Sequence, residues 1–330
     1  MPLNETAKLH PDVFDTKKHD QKPTRDGYVQ GVVKAGKENP NVVVLCADLT
    51  ESTRNLWFKE KFPDRFVQCG VHEQFLAAGG AGFAMAGKIP FISSYAMFCP
   101  GRAWEQIRTN ICLNDVNVKI AGAHAGVSVG PDGATHQAIE DIAIMRPIPN
   151  MQIIVPCDAN ETHKATLAAA RLPGPFYVRF GREKSPVFTT PETPFEFGKA
   201  TVFHDGSDLA IVACGPLVHE ALLAADALAK KKISARVINS HTVKPLDEDT
   251  LLAAAQECGA VVTVEEHQIT GGLGGAVAEL LSKTHPTPIE MIGIQNQFGQ
   301  SGTPRELLEH YGLTAPHIVE ACLRVLARKV

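Results

Sequence analysis

One candidate for chemistry is a single acidic residue, Glu73, at the point where a β-rich run meets a helical one. The segment 69–84 leaves a strand at Cys69 and continues as a helix made almost wholly of small and apolar residues. Such a helix is expected to be buried, and burial disfavours the charged form of a carboxyl group, so Glu73 is a candidate hydrogen-bond donor. The alternative is an ordinary first-turn glutamate that stabilises a helix N-terminus.

A second candidate is the glycine-rich segment 123–137, which carries His124, Asp132 and His136. Two imidazoles and a carboxylate on a backbone that can fold inward suit recognition of a polar substrate and proton transfer. A purely structural loop built on the turn residues 130–133 is the alternative. The spacing matches none of the common zinc patterns, so no metal site is predicted in this chain.

Two arginines, Arg179 and Arg182, close the strand-like run that begins at Phe176. Ligands usually bind at the carboxyl edge of a parallel sheet, where an arginine can hold a phosphate through two hydrogen bonds. Pairing with a carboxylate is the alternative. The glycine-rich run 270–277 looks like a dinucleotide-binding loop, but Val277 stands where the third glycine should fall, so close strand–helix packing is favoured there.

Alternating strands and helices must position these residues. In the first half, strands are predicted at 42–46, 66–69, 89–93, 118–122, 153–155 and 176–179, and helices at 28–37, 73–85, 103–112, 137–145 and 160–169. In the second half, strands are predicted at 209–214, 234–238, 260–264 and 289–292, and helices at 218–230, 249–256, 276–282, 304–310 and 317–327. Strands this apolar are typical of mainly parallel sheets flanked by helices, so the predicted fold class is α/β, with two domains.

The stretch 183–198 separates the two halves, because Pro186, Pro191 and Pro194 suit neither a helix interior nor a central strand. We therefore predict a first domain at 22–182, a linker at 183–198 and a second, smaller domain at 199–330. Residues 1–21 are polar and without pattern, and we expect them to form a mobile or partner-docking tail.

Composition and charge narrow the class of protein. The 330 residues are 44% hydrophobic and 21% charged, with a formal net charge of -4, which offers no basic stripe for nucleic acid and no cationic face for a membrane. No apolar run approaches the roughly 20 residues of a membrane span, and no signal peptide is apparent. Eight cysteines without a CxxC pair indicate reduced, buried thiols, so a cytoplasmic protein is expected.

Several segments together resemble the transketolase family of thiamine-diphosphate enzymes, from about Arg25 to the C-terminus. The markers are Ala-Asp-Leu-Thr at 47–50, Gly-Val-His-Glu at 70–73, Gly-Pro-Asp-Gly-Ala-Thr-His-Gln at 130–137, Ile-Pro-Asn-Met at 148–151 and Val-Pro-Cys-Asp at 155–158. The resemblance implies that a pyrimidine-binding domain comes first and a transketolase C-terminal domain second.

The resemblance assigns cofactor contacts to three residues. Glu73 matches the glutamate that hydrogen-bonds the aminopyrimidine of thiamine diphosphate and thereby activates the cofactor. Tyr95 and Phe98 look like the aromatic positions that pack on the pyrimidine ring. Arg102 is a weaker candidate for the same pocket.

Substrate contacts follow in the same way. The positions that contact sugar hydroxyls or phosphate are matched by His124, Asp132 and His136, and the two histidines are also catalytic candidates. Arg179 matches the arginine that holds the sugar phosphate. Arg54 lies near a further phosphate-binding arginine of the family, although the local spacing differs.

The sequence departs from the family at the charged end of the cofactor. Transketolases hold the diphosphate and its Mg²⁺ with Gly-Asp-Gly and a downstream asparagine, and this sequence has no Gly-Asp-Gly. The resemblance therefore implies the C-terminal subunit of a split transketolase, which transfers a two-carbon ketol unit between sugar phosphates in the pentose phosphate pathway. Its implied partner is an N-terminal subunit carrying Gly-Asp-Gly, in an α2β2 assembly. The helix around 75–83 is a candidate contact with that subunit, or else part of the core.

Three other functions stay open. The β subunit of a 2-oxoacid dehydrogenase has the same domain order, although the run 132–137 favours transketolase. An enzyme similar to 1-deoxyxylulose-phosphate synthase is a second possibility, and a catalytically silent scaffold subunit that kept the fold is a third.

Overall fold

The computed structural model describes residues 3–15 and 17–329 and arranges them in two large sheets flanked by helices and one small two-stranded sheet. The strands are β1 (Gln21–Pro23), β2 (Val42–Cys46), β3 (Phe66–Gln68), β4 (Ile89–Tyr95), β5 (Lys119–Ala123), β6 (Gln152–Ile154), β7 (Phe176–Arg179), β8 (Lys184–Pro186), β9 (Thr201–His204), β10 (Leu209–Ala213), β11 (Ala235–Asn239), β12 (Thr242–Lys244), β13 (Val261–Gln268) and β14 (Ile289–Ile294). The helices are α1 (Thr24–Glu38), α2 (Leu56–Lys61), α3 (Glu73–Met85), α4 (Trp104–Gln106, followed by a π-helical turn Ile107–Cys112), α5 (Asp141–Met145), α6 (Ala159–Arg171), α7 (Leu217–Ala229), α8 (Glu248–Cys258), α9 (Leu273–Thr284), α10 (Pro304–His310) and α11 (Ala315–Leu326). Within the described ranges, every helix is too short or too polar to cross a lipid bilayer.

The first large sheet has the strand order β12-β6-β7-β5-β4-β2-β3, and its pairs are parallel except for β12 with β6. Both faces are buried, since side chains of one strand alternate between two cores. Val43 and Leu45 join the core that contains α3, whereas Val42 and Val44 join the core that contains α1 and α6. The predicted α/β fold class is confirmed.

The second large sheet, in the order β14-β13-β10-β11-β9, is parallel except for β9. It is not independent of the first sheet. One hydrophobic core contains residues of both, such as Tyr177 and Val212. Strand β12, which follows β11 in the chain, lies at the edge of the first sheet, where Thr242 pairs with Ile154. The two domains thus share a core and a sheet edge.

The N-terminal segment corrects one expectation. The described residues 3–15 and 17–20 do not form a free tail, because they pack on the second domain. Ala7 and Val13 are buried, and the carbonyl oxygen of Val13 lies 2.9 Å from Nε2 of His219 in α7. A few apolar side chains and backbone hydrogen bonds are enough to hold a polar segment, and its composition does not reveal them.

Short elements were also missed by the sequence-based prediction, namely α2, β1, β8, β9 and β12. Strands β1 and β8 pair antiparallel, so part of the expected linker is a strand. Helix α5 begins at Asp141 rather than near Gln137, because the preceding residues belong to the glycine-rich loop: Ala138 forms a bridge with Ala125. Such elements are too short for hydrophobic periodicity to reveal.

Candidate active site

Glu73 is the first residue of α3 and is buried, 3% exposed, although it carries a carboxyl group. Its Oε1 accepts a hydrogen bond from the hydroxyl of Ser94 at 3.2 Å, and its Oε2 accepts one from Nη1 of Arg102 at 3.3 Å. The carboxyl oxygens of Glu73 are therefore hydrogen-bond acceptors in this structure, whereas burial alone led us to expect a donor. Arg102 is itself half exposed, so this charge partner can be exchanged for another group.

An aromatic wall connects Glu73 to the glycine-rich loop. The guanidinium of Arg102 lies 4.2 Å from the ring centre of Phe98, whose ring is 6.0 Å from that of Tyr95. Tyr95 stacks on His124 with ring centres 3.9 Å apart, and Phe98 meets His136 edge-on at 5.3 Å. The structure therefore brings together the two predicted aromatic residues and both predicted histidines.

His124 occupies an unusual position. Its backbone lies in the left-handed region, with φ of 57°, which non-glycine residues seldom adopt. The side chain is 1% exposed, and its buried Nδ1 has no hydrogen-bond partner among the described residues. A buried imidazole nitrogen without a partner is free to bind a polar group that enters the site.

Several cationic side chains lie around His124. Burial, followed by the charges of Arg25, Arg182, His136 and Arg54, lowers the pKa of His124 to about 3. The imidazole is therefore neutral near pH 7. Cations gathered around a half-closed site suit an anionic ligand.

One of these cations lies in α1, and a second lies in the turn between β2 and α2. Arg25, in the first turn of α1, donates from Nη1 to the carbonyl of Ser52 at 2.9 Å. Arg54 pairs with Asp26 at 2.9 Å and has a backbone φ of 65°. Burial and the charge of Arg54 lower the pKa of Arg25. Arg54 was predicted, whereas Arg25 was missed because it lies in a helix with no motif.

Asp132 and Arg182 form an ion pair at the rim of the loop, with Nη1 of Arg182 2.9 Å from Oδ1 of Asp132. Each side chain keeps 31% of its surface exposed. Arg182 lies beyond the end of β7, three residues after Arg179, and so reaches the loop. The predicted Asp132 is thus at the site, and its partner is the second arginine of the pair noted in the sequence.

Arg179 requires a correction, because the structure does not leave its guanidinium free for a phosphate. It is 4% exposed and bonds to Asp141 at 2.7 and 3.2 Å, while Nη2 also donates to the carbonyls of Ala138 and Glu266. Burial opposes its charge, but Asp141 outweighs burial and raises the pKa of Arg179. The side chain of this strand residue enters the interior, so Arg179 is a structural cation.

The site lies at one edge of the first sheet. Glu73 follows β3, Tyr95 ends β4, His124 follows β5 and Arg182 follows β7. All four strands are parallel, so their carboxyl ends meet at this edge, where ligands bind in open α/β sheets. The arrangement combines a buried carboxylate, an aromatic wall and a cationic rim.

Comparison with known proteins shows the family to which the chain belongs. Residues 20–187 match the family model "Transketolase, pyrimidine binding domain" and residues 198–318 match "Transketolase, C-terminal domain". The chain belongs to the transketolase family, as the sequence motifs indicated.

Individual relatives are similar over nearly their whole length. A putative transketolase C-terminal section of Methanocaldococcus jannaschii is 43% identical, over 93% of this chain and 98% of the relative. A 6-deoxy-6-sulfo-D-fructose transketolase subunit of a Clostridium species is 37% identical, over 92% and 95%. A solved split-gene transketolase, described as an inactive β4 tetramer, has a TM-score of 0.88 and 46% identity, covering 93% of this chain and 99% of that one.

Proposed function

We propose that this chain is the C-terminal subunit of a split, thiamine-diphosphate-dependent transketolase that transfers a two-carbon ketol unit between sugar phosphates. The observation that carries the proposal is the continuous arrangement of Glu73, the aromatic wall and the cationic rim around His124. It provides a place for a nitrogen heterocycle beside a place for a phosphorylated sugar.

The residues around Glu73 fit the aminopyrimidine of thiamine diphosphate. The carboxylate is buried and held by Ser94 and by the exchangeable Arg102, and Tyr95 and Phe98 offer ring faces next to it. When bound, the cofactor supplies the carbanion chemistry of ketol transfer. Glu73 holds and polarises the aminopyrimidine, while the aromatic rings exclude water from that side.

The cationic rim fits the sugar phosphate. Arg25, Arg54 and Arg182 lie close enough to His124 to influence its charge, and Arg182 is partly exposed in its ion pair with Asp132. An anionic phosphate can compete with Asp132 for this guanidinium. Neutral His124 can donate and accept hydrogen bonds, and the imidazole of His136 lies in the same aromatic cluster, which suits the hydroxyl and carbonyl groups of a sugar.

The surface beside Glu73 supports a partner subunit. Val71 and Phe75 are 70% and 51% exposed, and Met85 at the other end of α3 is 62% exposed. Exposed apolar side chains around one helix are typical of an interaction surface. We propose that an N-terminal subunit covers α3, holds the diphosphate and Mg²⁺, and completes an α2β2 assembly.

The test is activity of the reconstituted enzyme. The chain is purified alone and with the N-terminal subunit, and each sample is assayed with xylulose 5-phosphate and ribose 5-phosphate in the presence of thiamine diphosphate and Mg²⁺. We expect transfer only from the complex, and full activity of the chain alone would overturn the split-enzyme proposal. Consumption of pyruvate instead of the ketose phosphate would indicate one of the related decarboxylating enzymes.

A pair of variants tests the role of Glu73. Glu73→Gln in the complex should abolish most of the activity, because an amide cannot exchange a proton with the aminopyrimidine as a carboxyl group can. Glu60→Gln, an exposed residue of α2, serves as the matched control. Unchanged activity of Glu73→Gln in an active complex would contradict the assigned cofactor role.

A further inference from the structure

The glycine-rich loop of the site, residues 124–137, is contacted directly by the second domain. The contacts come from the end of β13, at Glu266, and from the loop 295–302 that precedes α10. The loop contains the 3₁₀ segment Val127–Asp132, which is interrupted at Gly130 by a non-helical backbone. The loop therefore has little regular secondary structure of its own to fix the positions of Asp132 and His136.

Glu266 makes the first of these contacts. It is 5% exposed, and its Oε1 accepts a hydrogen bond from the backbone N–H of Ser128 at 2.6 Å. The carboxylate packs against Gly126, where an added Cβ would come within 2.3 Å of Oε1, at a backbone φ of 87°. Only glycine allows the loop to approach the carboxylate this closely.

Gln137 makes the second contact. Its buried Nε2 donates to the carbonyl of Val127 at 3.0 Å and to that of Gly130 at 3.3 Å, both within the loop. The same nitrogen donates to the carbonyl of Gln300, in the second domain, at 2.9 Å. A single amide group thus connects the first half of the 3₁₀ segment, residues 127–130, to the other domain.

Packing holds only part of the loop, because Val127 and Val129 are buried whereas Ser128 borders a cavity. A cavity of about 490 Å³ lies between the domains and is bordered by Ser128, Glu266 and Pro304. On that side the loop has empty space next to it, so it can shift when its polar contacts are removed. Dense interiors resist such shifts because no comparable space exists in them.

We propose that Glu266 and Gln137 are positioning residues through which the second domain holds the loop 124–137 in the form that presents Asp132 and His136. Neither side chain reaches the rim itself. The effect of Glu266 and Gln137 on catalysis rests on the proposed function, whereas their effect on the conformation of the loop does not.

The structural part is tested on the full chain alone by hydrogen exchange of peptides covering 124–137. Glu266→Ala removes the acceptor for the Ser128 amide and should speed exchange in this loop roughly tenfold, whereas Glu266→Gln keeps an acceptor oxygen and should stay close to the wild type. Equal protection in all three proteins would overturn the proposal. Because no substrate is involved, this result is independent of the enzyme's activity.

The functional part is tested in the reconstituted complex with Gln137→Leu and Gln137→Glu. Leucine fills a similar volume without a donor, whereas glutamate directs an acceptor at three carbonyl oxygens, so the KM for the sugar phosphate should rise in the order wild type, leucine, glutamate, with kcat changing less. Gln297→Ala, an exposed residue of the loop 295–302, is the control. If leucine and glutamate behave like the wild type, Gln137 has no positioning role. An inactive wild-type complex would instead count against the proposed function, with the exchange result still standing.

Discussion

The imidazole of His124 stacks on the phenol ring of Tyr95, with ring centres 3.9 Å apart and planes inclined by 21°. Through this contact a residue of β4 fixes the orientation of a histidine that follows β5. Within the part of the chain that the structure describes, the buried Nδ1 of His124 has no partner, so the stacked ring presents an unused hydrogen-bonding atom inside the site.

The charge state of His124 gives a first prediction. Burial and neighbouring cations lower its pKa to about 3, so NMR of the ring carbons should show a neutral imidazole throughout the range in which ordinary histidines titrate. Arg182→Gln removes one of the cations and should raise this pKa. Arg171→Gln, which removes an exposed cation paired with Glu38, should leave it unchanged. Titration of wild-type His124 near the value of a free histidine would contradict the structure.

A second prediction concerns phosphate recognition by Arg182. Arg182→Gln should raise the KM for a phosphorylated acceptor roughly tenfold or more, since a hydrogen bond to a charged group contributes about 1.5–3 kcal/mol. The KM for the corresponding unphosphorylated sugar should change little. Steady-state kinetics of the reconstituted complex measure both, with Arg171→Gln as the control. An equal effect on both sugars would show that Arg182 does not recognise the phosphate.

Arg179 should behave differently from Arg182. Arg179→Met leaves Asp141 buried without its cation, so we expect the free energy of unfolding to fall by about 3–5 kcal/mol. Tyr177, which also donates to Asp141 at 2.6 Å, cannot compensate for the lost charge. Urea denaturation of the chain measures the loss. A stable Arg179→Met protein with a specific defect in phosphate binding would restore the role assigned by the family resemblance.

The exposed face of α3 yields a fourth prediction. Phe75→Asp should weaken association with the N-terminal subunit at least roughly tenfold, because exposed aromatic residues often dominate binding energies. The melting temperature of the chain alone should hardly change, since the side chain is half exposed. Binding is measured by calorimetry, with Leu323→Asp on α11 as the control at an exposed apolar residue of the second domain. Equal affinities of Phe75→Asp and the wild type would place the interface elsewhere.

The packing of the N-terminal segment predicts a pH dependence of stability. Burial lowers the pKa of His219 below its value in the unfolded chain, so the unfolded chain takes up more protons as the pH falls through the ordinary histidine range. Stability is therefore full above that range and declines below it. His219→Gln can still donate to Val13 but cannot be protonated, so its unfolding free energy should fall less steeply between about pH 7 and pH 5. The exposed His310→Gln should retain the wild-type slope.

The predicted site residues that the structure brings together are those with local signals in the sequence. Glu73 stands at a strand–helix boundary, and His124 follows an apolar strand into a glycine-rich loop, so both could be found from neighbouring residues. The predicted strand 176–179 already placed Arg182 beyond its end, but it could not show that the guanidinium of Arg179 pairs with a buried carboxylate. The two arginines differ in burial and partners because Asp141, a residue of another segment, pairs with Arg179.

The contacts of the second domain left no local signal at all. Glu266 lies in a strand whose end was predicted at residue 264, and its partner Ser128 is distant in the chain. The same holds for β12, which is only three residues long and is recognisable as a strand through its pairing with β6. Only the tertiary structure places such residues together, since neither periodicity nor turn chemistry marks them.

The position of strand β12 also determines whether the chain can be cut into two fragments that fold independently. A break inside 183–198 would leave the first fragment with β6 as an unpaired edge, and the second fragment with a strand that has nothing to pair with. Neither piece would be a self-sufficient unit. Together, the fragments carry complementary halves of one sheet edge and one core, which is the situation in which co-expressed fragments reassemble into a whole.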